Sequence, residues 1–282
     1  MIRRISQKLL PKNISGQLQL PIQRPRELDR NYHKGGRSFY FFDFDDNIAV
    51  LGTNTYIFHK DTKQELALSS AEYTKVASQI GESGLYKDYF IDLCEERGSF
   101  RNFRDRDHTL VEKILGRKQI FEKDFQYALG LPDIHWKGPA WDCFFHAVYN
   151  QRPTALITAR GHHPDTLKRG IRKLVRRGHL PSEPNYLEIY PVSHPETIES
   201  LGFEKEVPHV AQLKRAAIRA AVTKAFDEFG YNPHHRFGMS DDDPKNIELI
   251  TLELIELKKD FPDNSFFMIE THDGKLFKKE IF

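Results

Sequence analysis

Along this chain, apolar and polar positions fall into blocks whose periods separate strands from helices. The clearest block is Ser38–Asp43, where Phe39, Tyr40, Phe41 and Phe42 run without a polar break and stop at Asp43. An unbroken apolar run of this length predicts a strand buried on both faces. Runs at Thr154–Ile157, Tyr186–Tyr190, Arg236–Met239 and Ser265–Ile269 predict further strands, and Lys275–Ile281 predicts a last one beyond the turn signal Asp273-Gly274. Between these runs the period lengthens. Leu167, Ile171, Leu174 and Val175 place a helix over Pro164–Arg177. Other helices are predicted from Gly138-Pro139 to Tyr149, within Val207–Phe229, and from Pro244 to about Lys259. Strands alternating with helices over residues 138–270 predict an α/β fold with a doubly wound, Rossmann-like parallel sheet.

Between the first strand and residue 138 the pattern changes. Thr53–His59 and Glu65–Leu68 flank the polar turn Lys60-Asp61-Thr62-Lys63 and predict a hairpin. Ser69 and Glu72 have capping-box spacing, which starts a helix running to about Ile80. Tyr86–Glu96, Thr109–Leu115 and Glu122–Leu129 are further helical stretches, separated from the first by Gly81 and Gly84. Residues 61–137 are therefore expected to form an inserted, mostly helical lobe, with the core domain at 37–60 and 138–282. Residues 1–36, with Pro11, Pro21 and Pro25 and a closing Gly35-Gly36, are expected to be an irregular basic arm with one short helix at Ile2–Leu10.

A chain of 282 residues, 39% hydrophobic and 29% charged, is long enough for one core plus a smaller lobe and has the balance of a soluble globular protein. No stretch approaches the ~20 apolar residues that span a bilayer. The net charge is only +2, yet residues 1–26 hold Arg3, Arg4, Lys8, Lys12, Arg24 and Arg26 with no acid, so the rest of the chain is net acidic. That start lacks the continuous apolar core of a secretory signal. It fits an organelle transit peptide or a membrane-surface arm, but a solvated tail resting on the domain is the simpler expectation. Cys94 and Cys143 are too few and too far apart for a zinc site or a disulfide framework, which suits a reducing, cytoplasmic compartment.

The candidate chemistry sits where strands end. Asp43 and Asp45 follow the first apolar run, and residues two apart on an extended segment face the same side. Close carboxylates repel unless a proton or a divalent cation relieves them. Ligands of parallel α/β sheets bind beyond the carboxyl ends of the strands. There Asp43 and Asp45, Thr158, and Asp241 and Asp242 would converge.

These strand ends resemble the motifs of the haloacid dehalogenase-like hydrolase superfamily. Asp43-Phe44-Asp45-Asp46-Asn47 is similar to its first motif, Ala155-Leu156-Ile157-Thr158 to its second and Phe237-Gly238-Met239-Ser240-Asp241-Asp242 to its fourth, in the right order. Asn47 stands where threonine is commoner. The third motif is an upstream lysine without a fixed local pattern, for which Lys214 is the choice and Lys205 and Lys224 are competitors. The resemblance covers about residues 38–60 and 138–260. It implies a phosphatase that hydrolyses a phosphate monoester through an aspartyl-phosphate. Asp43 would be the nucleophile and Asp45 the general acid and base, with Thr158 and Lys214 holding the phosphoryl oxygens. It further implies Mg²⁺ on the Asp43 carboxylate, the Asp45 backbone carbonyl and the Asp241 carboxylate, with Asp242 in contact directly or through water. Asp45 favours ester hydrolysis over dehalogenation, which needs no leaving-group proton. The superfamily places a cap where residues 61–137 are inserted, so a small phosphorylated substrate is expected. Ser240–Asn246 also looks like the matching stretch of polynucleotide 3′-phosphatase domains, which keeps nucleic-acid ends as an alternative substrate.

Arg97, Arg101, Arg104 and Arg106 alternate with Phe100 and Phe103, a group able to hold an anion or nucleic acid, or simply a solvated face paired to Glu95, Glu96, Asp105 and Asp107. A nucleic-acid- or phosphate-binding module without turnover is therefore one competing reading, and a metal-dependent glycosyltransferase using Asp43-Phe44-Asp45 is another. His162-His163 and His234-His235 are expected in loops; the first pair, directly after the second motif, could touch substrate or metal, but facing solvent is the simpler expectation. Arg160 is placed to meet phosphate or to form an ion pair. Trp136 and Trp141 are expected in packing.

Overall fold

Seventeen α and β elements follow one another in the computed structural model, which describes residues 25–94, 96–203, 208–271 and 275–282. In chain order they are β1 (Ser38–Phe42), β2 (Thr55–His59), β3 (Glu65–Leu68), α1 (Ser70–Val76), β4 (Tyr89–Phe90), α2 (Leu110–Ile114), α3 (Ile120–Ala128), α4 (Trp141–Tyr149), β5 (Pro153–Thr158), α5 (Pro164–Arg176), β6 (Asn185–Pro191), α6 (Pro195–Ser200), α7 (Val210–Phe229), β7 (Arg236–Asp241), α8 (Pro244–Asp260), β8 (Ser265–Glu270) and β9 (Phe277–Ile281). A six-stranded sheet has the order β6-β5-β1-β7-β8-β9. Its first five strands are parallel, and β9 returns antiparallel to β8. The short helix expected at Ile2–Leu10 and the turn residues Asp273-Gly274 lie outside the described residues.

The apolar run in β1 is continuous because both of its faces are covered. Phe39 and Phe41 join Leu213, Ala217 and Val222 of α7 and Ile250 and Leu254 of α8 in one cluster. Phe42, with Phe44 just beyond the strand, joins Trp141 and Phe144 of α4 and Leu167 and Ile171 of α5 in the other. Each fully buried side chain of this size contributes about 1.5–3 kcal/mol. Trp136 and Trp141 pack edge to face in the second cluster, their ring centroids 4.8 Å apart.

A second, three-stranded antiparallel sheet, β3-β2-β4, joins β2 to two strands of the insertion. The boundary expected at residue 60 falls between β2 and β3, which pair from Thr55 with Leu68 to Phe58 with Glu65. The capping box forms as predicted: Ser69 accepts from the Glu72 N–H, and Glu72 accepts from the Ser69 N–H. Tyr86–Glu96 does not form the expected helix. Tyr89 and Phe90 are drawn into β4 by pairing with His59 and Phe58. Asp92 then turns the chain by accepting from the Cys94 N–H, the local bond through which aspartate competes with a helix.

The last part of the insertion packs on the core. Phe121 and Phe125 of α3 are fully buried against Phe44. The approach of α3 to α5 depends on Gly170, where an added Cβ would lie 2.4 Å from Cε1 of Phe121. The chain then re-enters the core through Gly138, where a Cβ would lie 2.2 Å from the carbonyl oxygen of Asn47. The Gly138 and Ala140 N–H groups donate to the Ile48 and Asn47 carbonyls, both at 2.9 Å. This return segment therefore clamps the loop that follows Asp43. Among the described residues no helix is long and apolar enough to cross a membrane, and both cysteines are free.

Glycine to alanine inside a helix ordinarily stabilises by about 0.5–1 kcal/mol. At Gly170 the sign should reverse, because the Phe121 ring is enclosed and cannot yield. We expect Gly170→Ala to lose about 1–3 kcal/mol, read as a lower denaturant midpoint. A gain in stability would show that α3 does not dock on α5 in this way.

Candidate active site

Parallel pairing brings three strand ends to one edge of the sheet. β1 lies between β5 and β7, with Phe42 level with Leu156 on one side and Ser240 on the other. The Asp43 N–H continues the ladder by donating to the Ser240 carbonyl at 3.0 Å. Asp43 thus emerges beside Asp241, the last residue of β7. Carboxylate oxygens of Asp43, Asp241 and Asp242 all lie within 4.8 Å of one another. Asp43 and Asp241 are buried, while Asp242 is partly exposed.

Lys214, on the second turn of α7 and 1% exposed, reaches this cluster from the side. Its Nζ lies 2.6 Å from Asp241 Oδ2 and 3.1 Å from Asp43 Oδ1. Burial disfavours its charge, but Asp241 and Asp43 together outweigh that effect and hold its pKa above the ordinary value. Burial likewise lifts the Asp43 carboxyl well above the usual carboxylate range; Lys214 opposes the shift, and Asp241, Asp242 and Asp45 add to it. Asp242 is pushed up to about 7, by burial first and by Asp241 second. One lysine does not neutralise three crowded carboxylates. Hard oxygen donors, partly enclosed and with an excess of negative charge, fit a small divalent cation such as Mg²⁺.

Of the other predicted residues, Thr158 lies at the tip of β5, fully buried, where its hydroxyl oxygen accepts from the Arg160 N–H at 3.3 Å. Asp45 does not touch the three-acid cluster through a hydrogen bond. Its oxygens are taken by a guanidinium fork, Arg160 Nε to Oδ2 at 2.8 Å and Nη2 to Oδ1 at 2.6 Å. Lys224 pairs with Glu188 instead of the cluster, and Lys205 lies outside the described residues.

Arg160, fully buried, forms the ion pair that was one of the two roles its sequence position allowed. Its Nη2 also donates to Thr53 Oγ1 at 3.0 Å, and that hydroxyl donates to Asp124 Oδ2 at 2.6 Å. The guanidinium carbon lies 4.9 Å from the Phe103 ring centre and 4.8 Å from that of Phe121. His162 is not solvent-facing as expected: it is fully buried against Phe121, and burial holds its pKa well below the usual value. His163 caps α5 by accepting from the Asp165 N–H. His235 is also buried, bridging the Arg37 N–H and the Gly230 carbonyl.

A cavity of about 330 Å³ opens over the cluster. Asp43, Asp45, Asp242 and Lys214 line it from the core, and Tyr73, Phe100 and Phe103 from the insertion. Asp46, held at φ 55°, also lines it. The aromatic lining was not foreseen, because nothing local in the sequence ties residues 73–103 to Asp43. Arg101 pairs with Glu65 at 2.7 Å and lies over the Tyr56 ring, while Asp105 accepts from the His163 N–H and the Thr166 hydroxyl. The depression around these arginines is lined by Glu65, Glu96, Asp105 and Asp107 as well, so its charge is mixed.

Comparison with protein-family models, with curated proteins and with solved structures gave no match.

Asp43 and Asp242 both bind protons more tightly in the folded chain than in the unfolded one. Their stabilising contribution is complete below the ordinary carboxylate pKa of about 4 and is lost as pH rises through their raised folded values, which for Asp242 is about 7. In the absence of divalent ions, the melting temperature should fall by a few degrees between pH 6 and pH 8. Mg²⁺ added at pH 8 should restore it, and Asp242→Asn should flatten the pH dependence. A melting temperature at pH 8 that ignores Mg²⁺ would argue against a cation at this cluster.

Proposed function

We propose that this chain is a Mg²⁺-dependent phosphatase of the haloacid dehalogenase-like type, hydrolysing a phosphate monoester through an aspartyl-phosphate on Asp43. The observation that carries the reading is the meeting of residues far apart in sequence: Asp43, Asp241 and Asp242 within 4.8 Å, with the Lys214 ammonium between two of them. In this reading the sheet is the doubly wound core of that superfamily, and residues 61–137 are its cap. The free cysteines accord with a reducing cytoplasm.

Asp43 is the buried carboxylate at the floor of the cavity and is the nucleophile toward phosphorus. Its attack forms the acyl-phosphate bond and breaks the bond from phosphorus to the leaving oxygen. Lys214 balances the negative charge that gathers there, and Thr158 has a hydroxyl proton left to donate to a phosphoryl oxygen. Mg²⁺, held by Asp43, Asp241, the Asp45 backbone carbonyl and Asp242, would screen the repulsion between phosphate and carboxylate. Asp45 gives a proton to the leaving oxygen and then takes one from the water that cleaves the acyl-phosphate. Arg160 uses one acceptor site on each Asp45 oxygen, which fixes the carboxylate plane and leaves a second site on each for substrate or water.

Purified protein should release phosphate from 4-nitrophenyl phosphate with Mg²⁺ and stop when the metal is chelated. Asp43→Asn should abolish release while retaining a folded spectrum, and undiminished turnover by that variant would refute the assignment. Asp45→Asn should cost about 10²–10⁴-fold on an alkyl phosphate, whose leaving oxygen needs a proton. It should cost far less on 4-nitrophenyl phosphate, whose leaving oxygen does not. Arg160→Lys keeps the charge but loses the fork, so it should shift the two substrates in the same sense by a smaller factor.

A further inference from the structure

We propose that the leaving group of the substrate carries a flat aromatic ring, of nucleotide or aryl type, and is not a polyol; this rests on the phosphatase reading above. The cavity has two unlike walls. Acids and Lys214 from the core form one, and the Tyr73, Phe100 and Phe103 rings, with Ser70, Thr74 and Arg104 beside them, form the other. Each of the three rings is only partly buried, so they do not simply fill a core. They form a continuous edge-to-face row, Tyr73 to Phe100 at 5.6 Å and Phe100 to Phe103 at 6.4 Å between ring centres.

The row is braced before any ligand arrives. The Phe103 carbonyl accepts from the Gly161 N–H at 2.9 Å, which ties that ring to the loop after Thr158, and Arg160 lies 4.9 Å from its centre. Rings already held in place lose little freedom when a guest stacks on them. A flat aromatic group gains contact there with no loss of hydration of polar groups. Against the Phe100 and Phe103 rings, which offer no hydrogen bond, the hydroxyls of a polyol would give up water with nothing in return. Ser70 and Thr74, on the same helix as Tyr73, and Asn246 from the core supply polar contacts beside the row, enough for one sugar ring. The volume, about 330 Å³, is at the small end of the ~300–1,000 Å³ usual for ligand pockets. It suits one mononucleotide-sized molecule and not a polynucleotide strand.

The test compares substrates whose reacting centres match. Nucleoside 5′-monophosphates and ribose 5-phosphate share the same primary phosphate ester and differ in the base. Benzyl phosphate and cyclohexylmethyl phosphate differ in aromaticity at similar bulk. We expect kcat/KM to favour the aromatic member by tenfold or more in at least one pair, and Phe100→Ala and Phe103→Ala to reduce that ratio at least fivefold. Preference in the nucleotide pair alone assigns the wall to a base, and preference in both assigns it to any aromatic ring. Turnover of all four without aromatic preference overturns the inference and leaves the phosphatase reading intact. No turnover of these four or of 4-nitrophenyl phosphate removes the phosphatase reading. The inference is then decided by calorimetric binding of the same pairs to full-length Asp43→Asn protein with Mg²⁺, where equal affinity within each pair overturns it.

Discussion

Like charges pressed together at the carboxyl edge of the sheet are the constraint that shapes the rest of this molecule. The register of β1 between β5 and β7 leaves no freedom in the matter: once Phe42 pairs with Ser240, Asp43 must emerge beside Asp241. Burial then removes the water that would separate their charges, and an unpaired buried carboxylate costs several kcal/mol. Lys214 offsets part of that cost, and it can do so because it lies near the start of α7, where the helix passes the strand ends. A single ammonium against three carboxylates still leaves an excess of negative charge. Burial and the neighbouring acids raise the proton affinity of Asp242 and Asp43, and a cation at the cluster would relieve the same excess of charge.

Arg160 carries the same electrostatic tension outward into the insertion. A fully buried guanidinium is tolerable only with good partners, and it finds them in both parts of the chain: Asp45 and Thr53 from residues 37–60, and, through Thr53, Asp124 from the insertion. Phe103 and Phe121, both from the insertion, flank its plane. The aim of the Asp45 carboxylate is therefore linked to how the insertion sits. A displacement of α3 or of the Phe100–Phe103 turn would reach Asp45 through this one side chain. In the proposed phosphatase, coupling of this kind would let binding energy from a remote part of a substrate act on Asp45.

The strand ends were legible in sequence because apolar runs that stop abruptly at Asp43, Thr158 and Asp241 report both burial and termination. Parallel pairing does the rest, since it puts all such stops on one edge. Lys214 was legible only through the family resemblance; its own neighbourhood, Gln212-Leu213-Lys214-Arg215, reads like any amphipathic helix. The insertion was harder. Tyr86–Glu96 has helical composition, but edge pairing of Tyr89 and Phe90 with β2 outweighs so weak a propensity. His162 and Arg160 sit in what reads as a polar loop, and their burial comes from Phe121, some forty positions upstream and itself able to approach only because residue 170 is glycine. Tertiary contacts of that range leave no local signature.

Asn47 is the point at which this chain differs from the commoner form of the motif that its first strand end resembles, and its contacts show what an amide does there. A threonine hydroxyl has one proton to give, whereas the Asn47 amide nitrogen has two. It donates to the Asp43 carbonyl at 3.0 Å and to Ser240 Oγ at 2.8 Å, while the amide oxygen accepts from Thr271 Oγ1 at 2.7 Å. Thr271 follows β8 and also donates its N–H to the Asp241 carbonyl at 3.1 Å. One fully buried side chain thus joins the exits of β1, β7 and β8 just behind the acids. The repulsion between Asp43 and Asp241 acts to spread those strand ends, and the amide resists it from the side away from the cavity. Spacing of the two carboxylates is in this way set by backbone and amide contacts, which do not depend on whether a cation is bound.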